Sequence, residues 1–139
     1  MGEDTLARFR SVYLFQGLSD KELQQVLGLA KEIQHPAGRT IVEESGQGYG
    51  FHMILDGTAE VRVGGERKGT LGPGSYFGEI SLIDGKPRSA TVTSVDPLRT
   101  LSISSWEFSP LLDGHPTIAR KLLVGLCERV RAAEGSHTA

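Results

Sequence analysis

Phe77-Gly78-Glu79-Ile80-Ser81-Leu82-Ile83-Asp84-Gly85-Lys86-Pro87-Arg88-Ser89-Ala90-Thr91-Val92 concentrates most of the chemistry of this chain. Gly78 lets the backbone come close to another group. Glu79 follows it, and then a short apolar run that suits one helical turn with free N–H groups at its start. Gly85-Lys86-Pro87 makes a turn, after which Arg88 stands among the small residues Ser89 and Ala90. Free amides at a helix start together with a lone arginine describe a compartment for one phosphate. Glu79 would repel that phosphate, so it makes sense only opposite a hydroxyl donor such as a sugar 2′-OH.

The pattern Phe-Gly-Glu-x-Ser/Ala-Leu, a short spacer and Pro-Arg-Ser/Thr/Ala-Ala-Thr-Val is matched almost residue for residue over these sixteen positions. The stretch closely resembles the phosphate-binding cassette of cyclic-nucleotide-binding domains, as in catabolite activator proteins, protein kinase A regulatory subunits and cyclic-nucleotide-gated channels. A motif of this length is far more specific than a lone glycine pattern. The resemblance implies that Gly78, Glu79, Ile80, Ser81, Arg88, Ser89 and Ala90 bind the ligand. Glu79 would meet the ribose 2′-OH and Arg88 the phosphate. The backbone N–H groups of Ser81 and Ser89 would meet phosphate oxygens, with the Ser89 hydroxyl as a further donor. Serine after the arginine occurs in cAMP binders, so the expected ligand is cAMP, with cGMP left open. Val61 and Leu71 are candidates for the wall of the base pocket, against the plainer reading that they are core. Leu123, Leu126 or Arg129 are candidates for a lid over the base, against the alternative of core or dimer seam.

Outward from the cassette, short segments punctuated by glycine run from Ile33 to Ile103, and twelve of the eighteen glycines lie between Gly38 and Gly85. Strands are expected at 32–36, 40–43, 51–56, 58–63, 67–71, 90–95 and 98–103, separated by turns such as Asp56-Gly57, Gly64-Gly65 and Asp96-Pro97. In Ala59-Glu60-Val61-Arg62-Val63 the alternation points the alanine and both valines at the core. The texture predicts a mainly β chain with flanking helices, an antiparallel sandwich or barrel. The family form is a jelly-roll-like double-stranded antiparallel β-roll of eight strands.

The β segment, 32–103, follows a helical lead-in over 4–30. Leu6, Phe9, Val12 and Tyr13 predict one amphipathic helix over 4–15. Ser19-Asp20-Lys21-Glu22 reads as a capping box, with Leu18 and Leu23 as its hydrophobic staple and Leu23, Val26, Leu27 and Ala30 facing inward. Beyond the β segment two C-terminal helices are expected within 105–134. Ser105 is the cap of the first, Pro116 the start of the second and Gly135 its stop. Ile118, Leu122, Leu126 and Val130 form one apolar stripe on the second, a possible homodimer contact.

The 139 residues fit one domain. A net charge of −2 gives no field for nucleic acid, and no apolar run reaches the length of a membrane helix. Cys127 is the only cysteine, so no intrachain disulfide can form, which suits a cytoplasmic chain; on its helix it is expected to be buried. His35, His52, His115 and His137 stand singly, without metal-ligand spacing, and no nucleophile–base pair stands out. The expectation is therefore a non-enzymatic cAMP sensor with no cofactor and no DNA-binding domain. Its effector would be a separate protein or the rest of a longer parent chain. The rival is a scaffold of the same fold that binds no nucleotide.

Overall fold

The computed structural model describes residues 3–135, apart from 45, 47–49 and 87–89. These fall into two compact units, Leu29–Ser109 and a helical unit made of the chain up to Gly28 and from Pro110 onward.

The first unit holds eight strands among the described residues: β1 (Lys31–His35), β2 (Thr40–Val42), β3 (Gly50–Asp56), β4 (Ala59–Val63), β5 (Glu66–Leu71), β6 (Tyr76–Phe77), β7 (Thr91–Ser94) and β8 (Leu98–Ser104). They pair antiparallel in two four-stranded sheets, ordered β1-β8-β3-β6 and β2-β7-β4-β5. Neighbours in each sheet are mostly distant in sequence, as the crossing connections of a roll require. Local chemistry fixes the tight hairpin between β4 and β5. Gly64 and Gly65 both have positive φ (59° and 80°), and Val63 pairs with Glu66, the two-residue turn whose twist matches the strands it joins. Between the sheets, Val42, Ile54, Ala59, Phe77, Val92 and Leu98 form the core, with Ile41, Val61 and Leu71 packed partly buried against it.

The expected strands are present within a residue or so at each end. The structure adds β6, which at two residues is too short for an alternating pattern to show. Val63 departs from expectation: at the hairpin tip it is exposed, because the core ends before the turn.

In the helical unit, α1 (Glu3–Arg10) ends earlier than the apolar spacing predicts, and a one-turn 3-10 helix follows at Tyr13–Phe15. Val12 is extended between them (φ −73°, ψ 124°). The break lets Phe15 stack on Phe9, ring centroids 5.9 Å apart. α2 (Asp20–Leu27) has the expected capping box, with Ser19 and Glu22 each bonding the other's backbone N–H. The staple residues Leu18 and Leu23 are both buried. Ala30 lies beyond α2, outside the helix.

A short α3 (Glu79–Asp84) follows β6. α4 (Ser105–Gly114) begins at Ser105 itself, and it is the Ser104 hydroxyl that donates to Glu107, at 2.7 Å. α5 (Pro116–Glu134) ends at Gly135, whose N–H donates to the Arg131 carbonyl. Within the helical unit one line of α5 side chains grips the lead-in. Lys121 Nζ reaches Glu22 Oε1 at 2.6 Å, Gly125 leaves room for the Tyr13 and Leu14 carbonyls, and Arg129 lies 5.2 Å over the Tyr13 ring. The apolar stripe of α5 is buried only in its first half: Ile118 and Leu122 are buried, whereas Val130 and Leu123 are exposed. Cys127, expected to be buried, is exposed on the same later half.

The Lys121 ammonium and the Ser19 N–H hold the Glu22 carboxyl down from 4.5 to about 2. A depressed carboxyl stabilises the fold above its unfolded value, and that contribution is lost as pH falls through the folded one. The expected result is an acid limb of stability between about pH 4.5 and 2 that is shallower in Lys121→Met. Chemical denaturation of both proteins across that range checks it, and superimposable limbs would contradict it.

Candidate functional site

The cassette starts where β6 ends. Gly78 occupies the left-handed region (φ 83°, ψ 15°) and is the residue from which α3 departs. A Cβ there would lie 2.0 Å from the Gly50 carbonyl oxygen, at the start of β3. The protein's own backbone therefore requires glycine at this position, quite apart from any ligand. The sequence contains no sign of Gly50 as the partner, since 28 positions separate the two residues.

The first hydrogen bond of α3 runs from the Leu82 N–H to the Gly78 carbonyl, at 3.0 Å. The N–H groups of Glu79, Ile80 and Ser81 precede it and have no acceptor within the helix. Together they form a concentration of positive partial charge. Glu79 is half-buried, and among the described residues no hydrogen bond or ion pair to its carboxylate is formed. Ile80 is largely exposed, whereas Ser81 is buried and donates its hydroxyl to the Lys86 carbonyl at 2.7 Å. That bond, together with the Lys86 N–H on Asp84 Oδ1 at 2.9 Å, folds the chain back after α3. The Ser81 hydroxyl is thus committed to the turn and only its N–H faces the helix start.

Arg88 and Ser89 lie outside the described residues. Ala90 is half-buried and leads into β7. There Thr91 Oγ1 accepts from the Glu44 N–H at 3.1 Å, and the Glu44 carboxylate accepts from the Gly64 N–H at 3.1 and 3.2 Å. Val61 pairs with Val92 and stands two residues along β4 from Ala59, which faces Leu71. Both wall candidates, Val61 and Leu71, are half-buried and pack on the core, so the core reading accounts for the contacts they make.

Leu123, Leu126 and Arg129 belong to the helical unit. Leu123 is exposed, Leu126 half-buried, and Arg129 is engaged with Tyr13. A shallow recess among Gln34, His35, Asp56, Pro97, Leu98 and Arg99 sits at the Asp56 end of β3, the opposite end from Gly50. Among the described residues no group of three or more His, Cys, Asp or Glu side chains could hold a metal ion. No described helix is long and apolar enough to cross a membrane.

Fold and candidate site together define a β-roll: two antiparallel sheets with a short helix that departs from a strand at a glycine the backbone requires. The chain belongs to the cyclic nucleotide-binding domain family, whose model matches residues 32–115. It is 34% identical over 123 residues to a cyclic nucleotide-gated potassium channel of Mesorhizobium japonicum, covering 88% of this chain and 34% of the channel. It is 29% identical over 126 residues to the cyclic AMP receptor protein of Thermus thermophilus, covering 87% of this chain and 58% of the receptor. The chain thus spans about a third of one relative and somewhat more than half of the other. The N-terminal domain of a transcriptional regulator from Streptomyces coelicolor shares the fold, with a TM-score of 0.82 over 93% of this chain and 96% of that one at 24% identity.

Proposed function

We propose that this domain binds a 3′,5′-cyclic nucleotide, cAMP in preference to cGMP, as a cytoplasmic sensor without catalysis of its own. The observation that carries the reading is the pairing of open amides at the start of α3 with a half-buried Glu79 that has no described partner. Anion-accepting amides beside a carboxylate with no partner among the described residues suit one ligand that offers a phosphate and a hydroxyl together. The relative named as a cyclic AMP receptor protein supports the choice of base. Binding energy would draw α3 and the chain after it around the phosphate. The signal would pass through α5 to an effector, in a separate protein or in further parts of the same chain, by shifting populations that the ligand binds unequally.

Thermal unfolding with added nucleotide tests this, because a ligand that binds only the folded state stabilises it by mass action. The midpoint should rise with cAMP and rise less with cGMP. With 2′-deoxy-cAMP most of the rise should vanish, since Glu79 would be left facing ligand without a donor; losing such a bond costs about 1.5–3 kcal/mol, tenfold or more in affinity. Equal shifts with cAMP and its deoxy analogue would remove Glu79 from the ribose. A midpoint that no cyclic nucleotide moves would favour a scaffold.

A further inference from the structure

Glu44 stands just past the end of β2, half-buried, and joins two places on either side of the start of β7. Its N–H donates to Thr91 Oγ1 at 3.1 Å, and the Thr91 hydroxyl donates back to Glu44 Oε1 at 3.5 Å. Both oxygens of its carboxylate accept from the Gly64 N–H, at 3.1 and 3.2 Å, in the turn between β4 and β5. In the sheet order β2-β7-β4-β5, β7 lies between the strands that carry these two ends. Glu44 therefore reaches across the first residue of β7 from one neighbouring strand to the other.

The strand ladder meets this point from one side only. Thr91 pairs with Arg62 of β4, whereas among the described residues the pairing of β7 with β2 begins one residue later, at Val92 and Val42. On the β2 side it is Glu44 that meets Thr91. Thr91 is also where the cassette chain re-enters the sheet. The other end of that chain is held as well, since the Ser81 hydroxyl donates to the Lys86 carbonyl and the Lys86 N–H donates to Asp84 Oδ1. Only positions 87–90 separate Lys86 from Thr91. A segment this short, fixed at both ends, loses little conformational entropy when a ligand closes on it.

We propose that Glu44 is a positioning residue for nucleotide binding: it clasps Thr91 to the β4–β5 turn and so fixes the downstream anchor of the phosphate-binding segment. The positioning role rests on the cyclic-nucleotide reading above; the clasp itself does not. The Glu44 carboxylate acts through the chain and not on the phosphate, which it would repel at contact. Its effect on affinity therefore runs through the residues between Lys86 and Thr91, Arg88 above all. The ribose contact of Glu79, which belongs to α3, is left alone.

Amide exchange on the ligand-free protein tests the clasp. The Gly64 N–H, in an exposed turn, should be protected, and should exchange about tenfold faster in Glu44→Ala. Equal exchange in the two proteins would overturn the clasp. Calorimetry with cAMP then tests the role. Glu44→Ala should weaken binding about fivefold or more, and so should Thr91→Val, which keeps the β-branched shape without the hydroxyl. Glu44→Gln keeps an acceptor oxygen for the Gly64 N–H and should stay within about twofold of the unsubstituted protein. Added to Arg88→Ala, Glu44→Ala should cost less than about twofold more, whereas added to Glu79→Gln it should keep its full effect. Unchanged affinity in Glu44→Ala, or the same additivity in both backgrounds, would overturn the positioning role. Absence of cAMP binding by the unsubstituted protein would overturn the functional reading and the positioning role with it, while Gly64 exchange would still report on the clasp.

Discussion

Gly78→Ala is expected to cost about 3 kcal/mol or more of stability and to remove nucleotide binding in whatever fraction stays folded. Two separate penalties meet at this position. Its backbone is left-handed, with φ 83°, where an alanine costs about 1–2 kcal/mol. In addition, the new Cβ would stand 2.0 Å from the Gly50 carbonyl oxygen. That oxygen belongs to the first residue of β3, which pairs with Ser104 of β8, so withdrawing it disturbs that end of the sheet. Relief has to come from α3, whose start would swing away and carry the open amides of Glu79, Ile80 and Ser81 with it. Gly64→Ala is the matched control: φ is 59° but nothing lies within 4 Å of the added Cβ. It should show the backbone penalty alone, about 1 kcal/mol, with binding unchanged. Denaturant unfolding and nucleotide titration of both variants check this. A Gly78→Ala protein as stable and as active in binding as Gly64→Ala would contradict the account of the site.

Arg88→Ala is expected to weaken cAMP binding at least tenfold. Its place in the sequence carries this expectation, because Arg88 lies outside the described residues. Pro87 before it fixes the approach of the chain, and Ser89-Ala90 after it are small enough to let a phosphate close in. A charge-assisted, bidentate contact of this kind contributes about 1.5–3 kcal/mol, and more where solvent is excluded. Arg88→Lys separates charge from geometry, since lysine keeps the cation but cannot offer the planar fork. It should fall between wild type and alanine. Calorimetric affinities that do not change in either variant would take the phosphate away from Arg88.

The candidate site could be proposed from the sequence because its chemistry is carried by neighbours in the chain: glycine, carboxylate, apolar turn, then arginine within sixteen positions; the structure shows the glycine and the turn in place, and Arg88 lies outside the described residues. The hairpin at Gly64-Gly65 and the capping box at Ser19–Glu22 were legible for the same reason, since each needs only a few consecutive residues. What the sequence could not show is pairing across distance. Gly50 beneath Gly78, and Glu44 between Thr91 and Gly64, become neighbours only when β3 meets β6 and when β2, β7 and β4 lie side by side. Periodicity also misled where the chain broke it. The spacing of Leu6, Phe9, Val12 and Tyr13 continues through a point where Val12 turns extended, because stacking Phe15 on Phe9 outweighs one more helical turn. On α5 the apolar stripe is real but only its first half is buried, which is why Cys127 is exposed against expectation. Val61 and Leu71 show the limit in the other direction, because an apolar strand residue looks the same whether it faces a base or the core.

On the proposed reading, the amides of α3 and the carboxylate of Glu79 form one compartment for a cyclic nucleotide. Isothermal titration of the protein with cAMP tests it most directly, beside the same titration of Glu79→Gln. Saturable one-site binding is expected of the unsubstituted chain, weakened about tenfold or more in Glu79→Gln as a charge-assisted bond to the ribose is lost. Absence of saturable binding, or equal affinity in the two proteins, would contradict it.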